Sequence, residues 1–130
     1  MSSPTNLEGQ EEHKLALGLD LGISFSRFTI FRDNKFELIP DEHGRFEMPS
    51  FVAFTETRIL IGEEAKEQAI ENPRNTVFNY KRLLGRRYSD PALQAEIANL
   101  PFKVERGPGD RPLIVVTLKK EVLKYYPEEI

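Results

Sequence analysis

Two places in the sequence hold residues suited to meeting an anion. The first is the run Gly18-Leu19-Asp20-Leu21-Gly22-Ile23-Ser24-Phe25-Ser26. It closes one alternating apolar stretch, bends, and opens another. Gly22 has no Cβ, so an anion can approach its backbone closely. Successive N–H groups at such a bend can form a concave nest for negative charge. Ser24 and Ser26 add hydroxyl donors. Asp20 stands just before the bend. A carboxylate is a poor direct ligand for phosphate, but it can hold a hydrated Mg²⁺ that bridges to phosphate oxygens. Taken alone, the run reads more simply as a plain hairpin with a glycine turn. It is not the Gly-x-x-x-x-Gly-Lys loop that opens a helix.

The second place is Lys81. The spacing predicts a helix from Thr76 to Leu84, on which Lys81 shares a sector with Val77, Tyr80 and Leu84. Those three form an apolar stripe at i, i+3 and i+7. A lysine at the margin of a buried stripe either reaches out to water or meets an anion, and for a lone lysine water is the simpler reading. The basic run from Lys81 to Arg87 is interleaved with Leu83 and Leu84, which suits a packed helix better than a nucleic-acid patch.

Composition narrows the chemistry. The 130 residues contain no cysteine, which excludes disulfides, thiolate nucleophiles and cysteine-ligated zinc. His13 and His43 lie far apart and read as two unrelated surface imidazoles. Apolar residues make up 39% and charged residues 30%, the pattern of a globular, soluble chain. A net charge of -3 argues against a general nucleic-acid binder. No apolar run approaches the length of a membrane span, and residues 1–13 read as a disordered polar tail rather than a secretory signal. The expectation is a cytoplasmic protein, with the nucleus as the alternative.

The elements that must carry these residues are short. Leu15 to Gly22 alternates like a strand. Ser26–Phe31 is a second strand and Phe36–Ile39 a third, joined by the turn Arg32-Asp33-Asn34-Lys35, so the start reads as an antiparallel meander. Phe51–Phe54 and Arg58–Ile61 are two more strands. A helix follows from Gly62 to Asn72, ended by Pro73. After the helix ascribed to Thr76–Leu84, Gly85 serves as its stop and Arg86 and Arg87 lie past its negative end. Another helix starts at Asp90 as N-cap, with Pro91 at the first helical position. Phe102–Glu105, Leu113–Leu118 and Val122–Tyr126 return to strands. Tyr126-Pro127-Glu128-Glu129-Ile130 is a helix-start signal without a body, which suggests a chain that stops where a larger domain would continue; an ordinary frayed terminus is the plainer alternative.

Taken together, these segments resemble the start of the ATPase domain of the 70-kilodalton heat-shock family. The stretches that carry the likeness are Gly18–Gly22, Pro49–Phe54, Leu60–Lys66, Asn72–Arg86, Pro101–Val104 and Tyr126–Ile130, in the family's order and spacing. The resemblance covers 14–130 and implies an α/β fold, actin-like with ribonuclease H-like topology, of which this chain is the first lobe. It implies ATP or ADP with Mg²⁺ as ligands. Asp20 looks like the acid that holds magnesium through water. Gly22, Ile23, Ser24 and Phe25 occupy the phosphate turn. Lys81 looks like the catalytic lysine that stabilises the γ-phosphate and orients the attacking water. The family usually has Thr-Thr after the glycine; Ile23 removes one of those hydroxyls, and Phe25 replaces the usual tyrosine or asparagine.

The second phosphate loop, the adenosine pocket and the peptide-binding domain lie beyond residue 130 in that family. The expected function is therefore that of an ATP-binding chaperone fragment with a partial site and no turnover of its own. J-domain proteins and nucleotide-exchange factors are the expected partners, and no nucleic acid or membrane is. The alternatives are a non-catalytic interaction module or decoy, docking through an uncovered sheet face beside Leu113–Leu118, and a truncated product without function.

Overall fold

The computed structural model describes residues 15–130, so the expected tail at residues 1–13, with His13, lies outside the described residues. The first sheet is the expected meander. Strands β1 (Ala16–Leu21), β2 (Phe25–Arg32) and β3 (Lys35–Leu38) run antiparallel, and the two-residue strand β4 (Met48–Pro49) pairs with the start of β2. Asp33 and Asn34 both have positive φ, as the two central residues of a tight two-residue hairpin require. The register places Leu21 opposite Ser26 and Asp20 opposite Arg27.

The loop between β3 and β4 is organised by one carboxylate. Asp41 accepts hydrogen bonds from the N–H groups of His43 and Arg45 and from Arg45 Nε, at 2.8 to 2.9 Å. Local bonding of this kind is how aspartate shapes turns.

A second sheet has the order β6-β5-β7, formed by β5 (Phe51–Phe54), β6 (Ile59–Ile61) and β7 (Thr76–Phe78). Helix α1 (Gly62–Glu71) packs Ala65 against Ala53 and Leu60. Gly62 opens the helix with φ +66, and a Cβ there would come within 2.9 Å of Met48, so the helix start abuts β4.

The predicted helix over Thr76–Leu84 does not form. Thr76, Val77 and Phe78 pair with β5 instead, and Thr76 and Val77 are completely buried. Asn79 then takes a left-handed conformation, φ 54, and only a single 3₁₀ turn, Tyr80–Leu83, follows. The apolar spacing that mimicked a helix is divided between a strand and a turn. β-branched residues suit that strand. Arg86 consequently answers no helix terminus; it pairs with Glu96 at 2.7 Å and Asp90 at 3.2 Å.

Helix α2 (Pro91–Ile97) forms as the sequence predicts, with the Asp90 carboxylate accepting from Ala92 N–H at 3.0 Å. A third sheet, order β10-β9-β8, contains β8 (Lys103–Arg106), β9 (Pro112–Leu118) and β10 (Glu121–Tyr125). Tyr126–Ile130 ends as one 3₁₀ turn, in which the Glu129 carboxylate accepts from Tyr126 N–H at 2.7 Å.

The main core joins the last two sheets and α2 through Phe54, Val77, Leu83, Leu93, Phe102, Val104, Ile114 and Val116. This corrects the expectation of an uncovered face beside Leu113–Leu118, since Ile114 and Val116 are among the most buried side chains. An uncovered apolar face lies on β1 instead. Leu17, Leu19 and Leu21 are 56–61% exposed. Among the described residues β1 is also an edge strand of its sheet.

Candidate functional site

The bend between β1 and β2 spans Gly22 to Ser24. Its shape depends on Gly22 through close approach. A Cβ on Gly22 would lie 2.4 Å from the Phe25 carbonyl oxygen, a distance no side chain can occupy. Among the described residues, the N–H groups of Ile23 and Ser24 have no protein acceptor. Both residues are exposed, so the bend offers two peptide donors to solvent. Phe25 begins β2 opposite Pro49 and is 39% exposed.

Three polar contacts fix the bend to the rest of the chain. Ser50 N–H donates to the Ser24 carbonyl at 2.8 Å. Ser50 Oγ donates to the Gly22 carbonyl at 2.9 Å, and Lys81 Nζ donates to that same carbonyl at 2.9 Å. Ser26 Oγ lies 3.2 Å from Ser50 Oγ. Lys81 thus reaches the bend from the 3₁₀ turn. Its stem runs along a cavity of about 410 Å³ whose wall includes Leu21, Phe51, Tyr80 and Ile130. An ammonium has three donors. One is used by Gly22, which leaves two for an anion.

Asp20 is placed differently. Its side chain is 65% exposed, and Oδ2 lies 3.4 Å from Arg27 Nη1. Arg27 is also held by Glu47, through a hydrogen bond from Nε to Oε1 at 3.0 Å and a second contact from Nη2. The hydrogen bond and charge of Glu47, then Asp20, push the guanidinium pKa further up. A hydrated magnesium ion is commonly held by one or two carboxylates plus substrate phosphates; Asp20 is an exposed carboxylate of that type, but it already has the Arg27 guanidinium beside it. Among the described residues no three acids or histidines gather into a ligand cluster.

The structure therefore brings Gly22, Ile23, Ser24 and Lys81 together, with Phe25 at the rim and Asp20 on the adjoining strand. Sequence reasoning missed Ser50, Arg27 and Glu47. Ser50 lay inside the Pro49–Phe54 stretch without an assigned role. Arg27 could have been found by counting outward from the bend, since pairing Leu21 with Ser26 puts Arg27 opposite Asp20.

A family model described as "Hsp70 protein" matches residues 16–130. The heat shock 70 kDa protein of Ajellomyces capsulatus is 48% identical over 115 residues, 88% of this chain and 16% of that protein. Its counterpart in Neurospora crassa is 47% identical over 116 residues, 88% of this chain and 18% of that protein. The heat shock cognate 70 kDa protein 3 of Dictyostelium discoideum is 42% identical over 116 residues, with the same shares of 88% and 18%. The chain therefore spans less than a fifth of the length of these relatives.

Proposed function

The chain belongs to the Hsp70 family, and from that premise we propose that its bend at Gly22 and the ammonium of Lys81 bind the phosphates of ATP or ADP. The mixed α/β architecture, with antiparallel sheets and two helices, is consistent with part of an actin-like ATPase lobe. The observation that carries the reading is the Lys81–Gly22 contact, which sets a cation beside two uncommitted peptide donors. Phosphoryl ligands are held by this combination of backbone N–H groups and a lysine point charge. Ser50 positions the bend by sharing the Gly22 carbonyl with Lys81. Lys81 stabilises charge on the outermost phosphate oxygens. Magnesium would supply charge neutralisation on the phosphates, and Asp20 is the carboxylate beside the bend that would face it, with the Arg27 guanidinium at its side.

A complete site with a dissociation constant near ~1 μM holds about -8 kcal/mol. One turn and one lysine supply only part of that, so binding by this chain is in the ~mM range or weaker. Titration with Mg-ATP, followed by amide shifts at Gly22–Ser24 and Lys81, tests the reading. Micromolar affinity, or shifts confined to other residues, would overturn it. Chaperone activity, J-domain proteins and nucleotide-exchange factors as partners, and a cytoplasmic setting extend the same proposal to the whole protein.

A second reading, a binding module without catalysis, is favoured by the exposed leucines of β1 and by its place at a sheet edge among the described residues. Exposed edges of this kind pair with other strands.

A further inference from the structure

We propose that Arg27 competes with the divalent cation for Asp20, so that the bend takes nucleotide phosphates with little dependence on magnesium. This deepens the nucleotide reading and rests on it. Three observations converge. Strand register fixes Arg27 directly opposite Asp20, on the same face of the sheet. The guanidinium lies 3.4 Å from Asp20 Oδ2. Glu47, flanking β4, grips the same guanidinium through Nε at 3.0 Å.

Arginine cannot shed its proton in this range. Asp20 therefore always has a fixed positive charge beside it. A magnesium ion seeking Asp20 must approach that charge and share the carboxylate with it. The two carboxylates and one guanidinium sum to a single negative charge, which is a poor attraction for a strongly hydrated dication. The guanidinium also has donors of its own for phosphate oxygens, and its fork geometry suits them. Arg27 is thus a specificity-determining residue: it substitutes for part of what the metal does.

Two measurements on the full chain test this. The first uses Mn²⁺ alone as probe, reading paramagnetic broadening of backbone amides. Arg27→Ala should introduce selective broadening around Asp20 that the parent chain lacks. Arg32→Ala, which removes a comparable exposed partner of Glu37 on the same strand, should not. Equal broadening at Asp20 in the parent and Arg27→Ala overturns the proposal. So does an equal gain in Arg32→Ala, because the effect would then be general charge.

The second measurement titrates ATP with and without magnesium. In the parent chain the ion should change the apparent Kd by less than about twofold, and in Arg27→Ala it should tighten binding about fivefold or more. A parent chain already tightened fivefold refutes the idea. Failure of ATP to shift any residue of the bend refutes the nucleotide reading instead, while the Mn²⁺ experiment still decides the competition at Asp20.

Discussion

Lys81 and Gly22 stand 59 positions apart in the chain, yet the ammonium of one donates to the carbonyl of the other at 2.9 Å. The contact links a 3₁₀ turn in the second half of the molecule to the bend of the first hairpin. It makes the lysine a tether as well as a charge, and the two roles can be separated by substitution.

Lys81→Met keeps most of the apolar stem and removes the ammonium. Nucleotide-induced shifts at Gly22–Ser24 should disappear. Stability should fall by only about 1 kcal/mol, since one partly buried hydrogen bond is lost. Parallel titrations and urea melts measure the two effects; a large loss of stability with binding retained would reverse the assignment.

Gly22→Ala places a methyl group 2.4 Å from the Phe25 carbonyl oxygen. The bend must open, at a cost of about 1–3 kcal/mol. Ser50→Ala removes the donor to Gly22 and the neighbour of Ser26, costing about 1 kcal/mol. Both variants should lower the urea midpoint, Gly22→Ala the more.

Asn79 holds φ 54 between β7 and the turn that carries Lys81. Asn79→Ala should destabilise by about 1–2 kcal/mol, because a Cβ without a compensating polar group is strained there. Asn79→Gly should be close to neutral. Thermal melts of the two variants separate this backbone explanation from any contact of the side chain.

Acid should loosen the chain in a defined window. Hydrogen bonds from Arg45 and His43 lower Asp41 from 3.8 to about 2, and Lys103 and then Lys124 lower Glu105 from 4.5 to about 2. Carboxylates depressed on folding contribute stability that is fully present above the unfolded values, near pH 5, and lost as the pH falls towards 2. Carboxyl carbon shifts should titrate late for both residues. Salt should weaken the Glu105 contribution more than that of Asp41, whose largest cause is a backbone hydrogen bond.

The exposed leucines of β1 give a prediction for the second reading. If that edge recruits another copy, the parent chain should sediment with concentration-dependent mass. Leu19→Lys should then remain monomeric, since an edge lysine opposes strand pairing. A parent chain that is monomeric throughout would remove self-association through β1.

The meander, α2 and the third sheet were legible because each carries a local signal. Asp33 and Asn34 mark a hairpin, and Asp90-Pro91 a helix start. The stretch from Thr76 to Leu84 was not legible. Its spacing fits a helix, and only pairing with Phe51–Ala53 shows that Thr76–Phe78 is a strand. The site was half legible. Gly22, Asp20 and Lys81 stand out by type, whereas Ser50 and Arg27 acquire meaning only from what the fold sets against them. Alternation in β1 announced a strand but could not say which face stays uncovered.

None of the residues that build the two hydrophobic cores comes from positions 15–50. The first three strands are therefore joined to the body chiefly by polar latches at Gly22, Ser24 and Met48–Ser50. A ligand seated on that junction acts as a splint. Its arrival should slow amide exchange through the opening meander while Ile114 and Val116, deep in the other sheets, exchange as before.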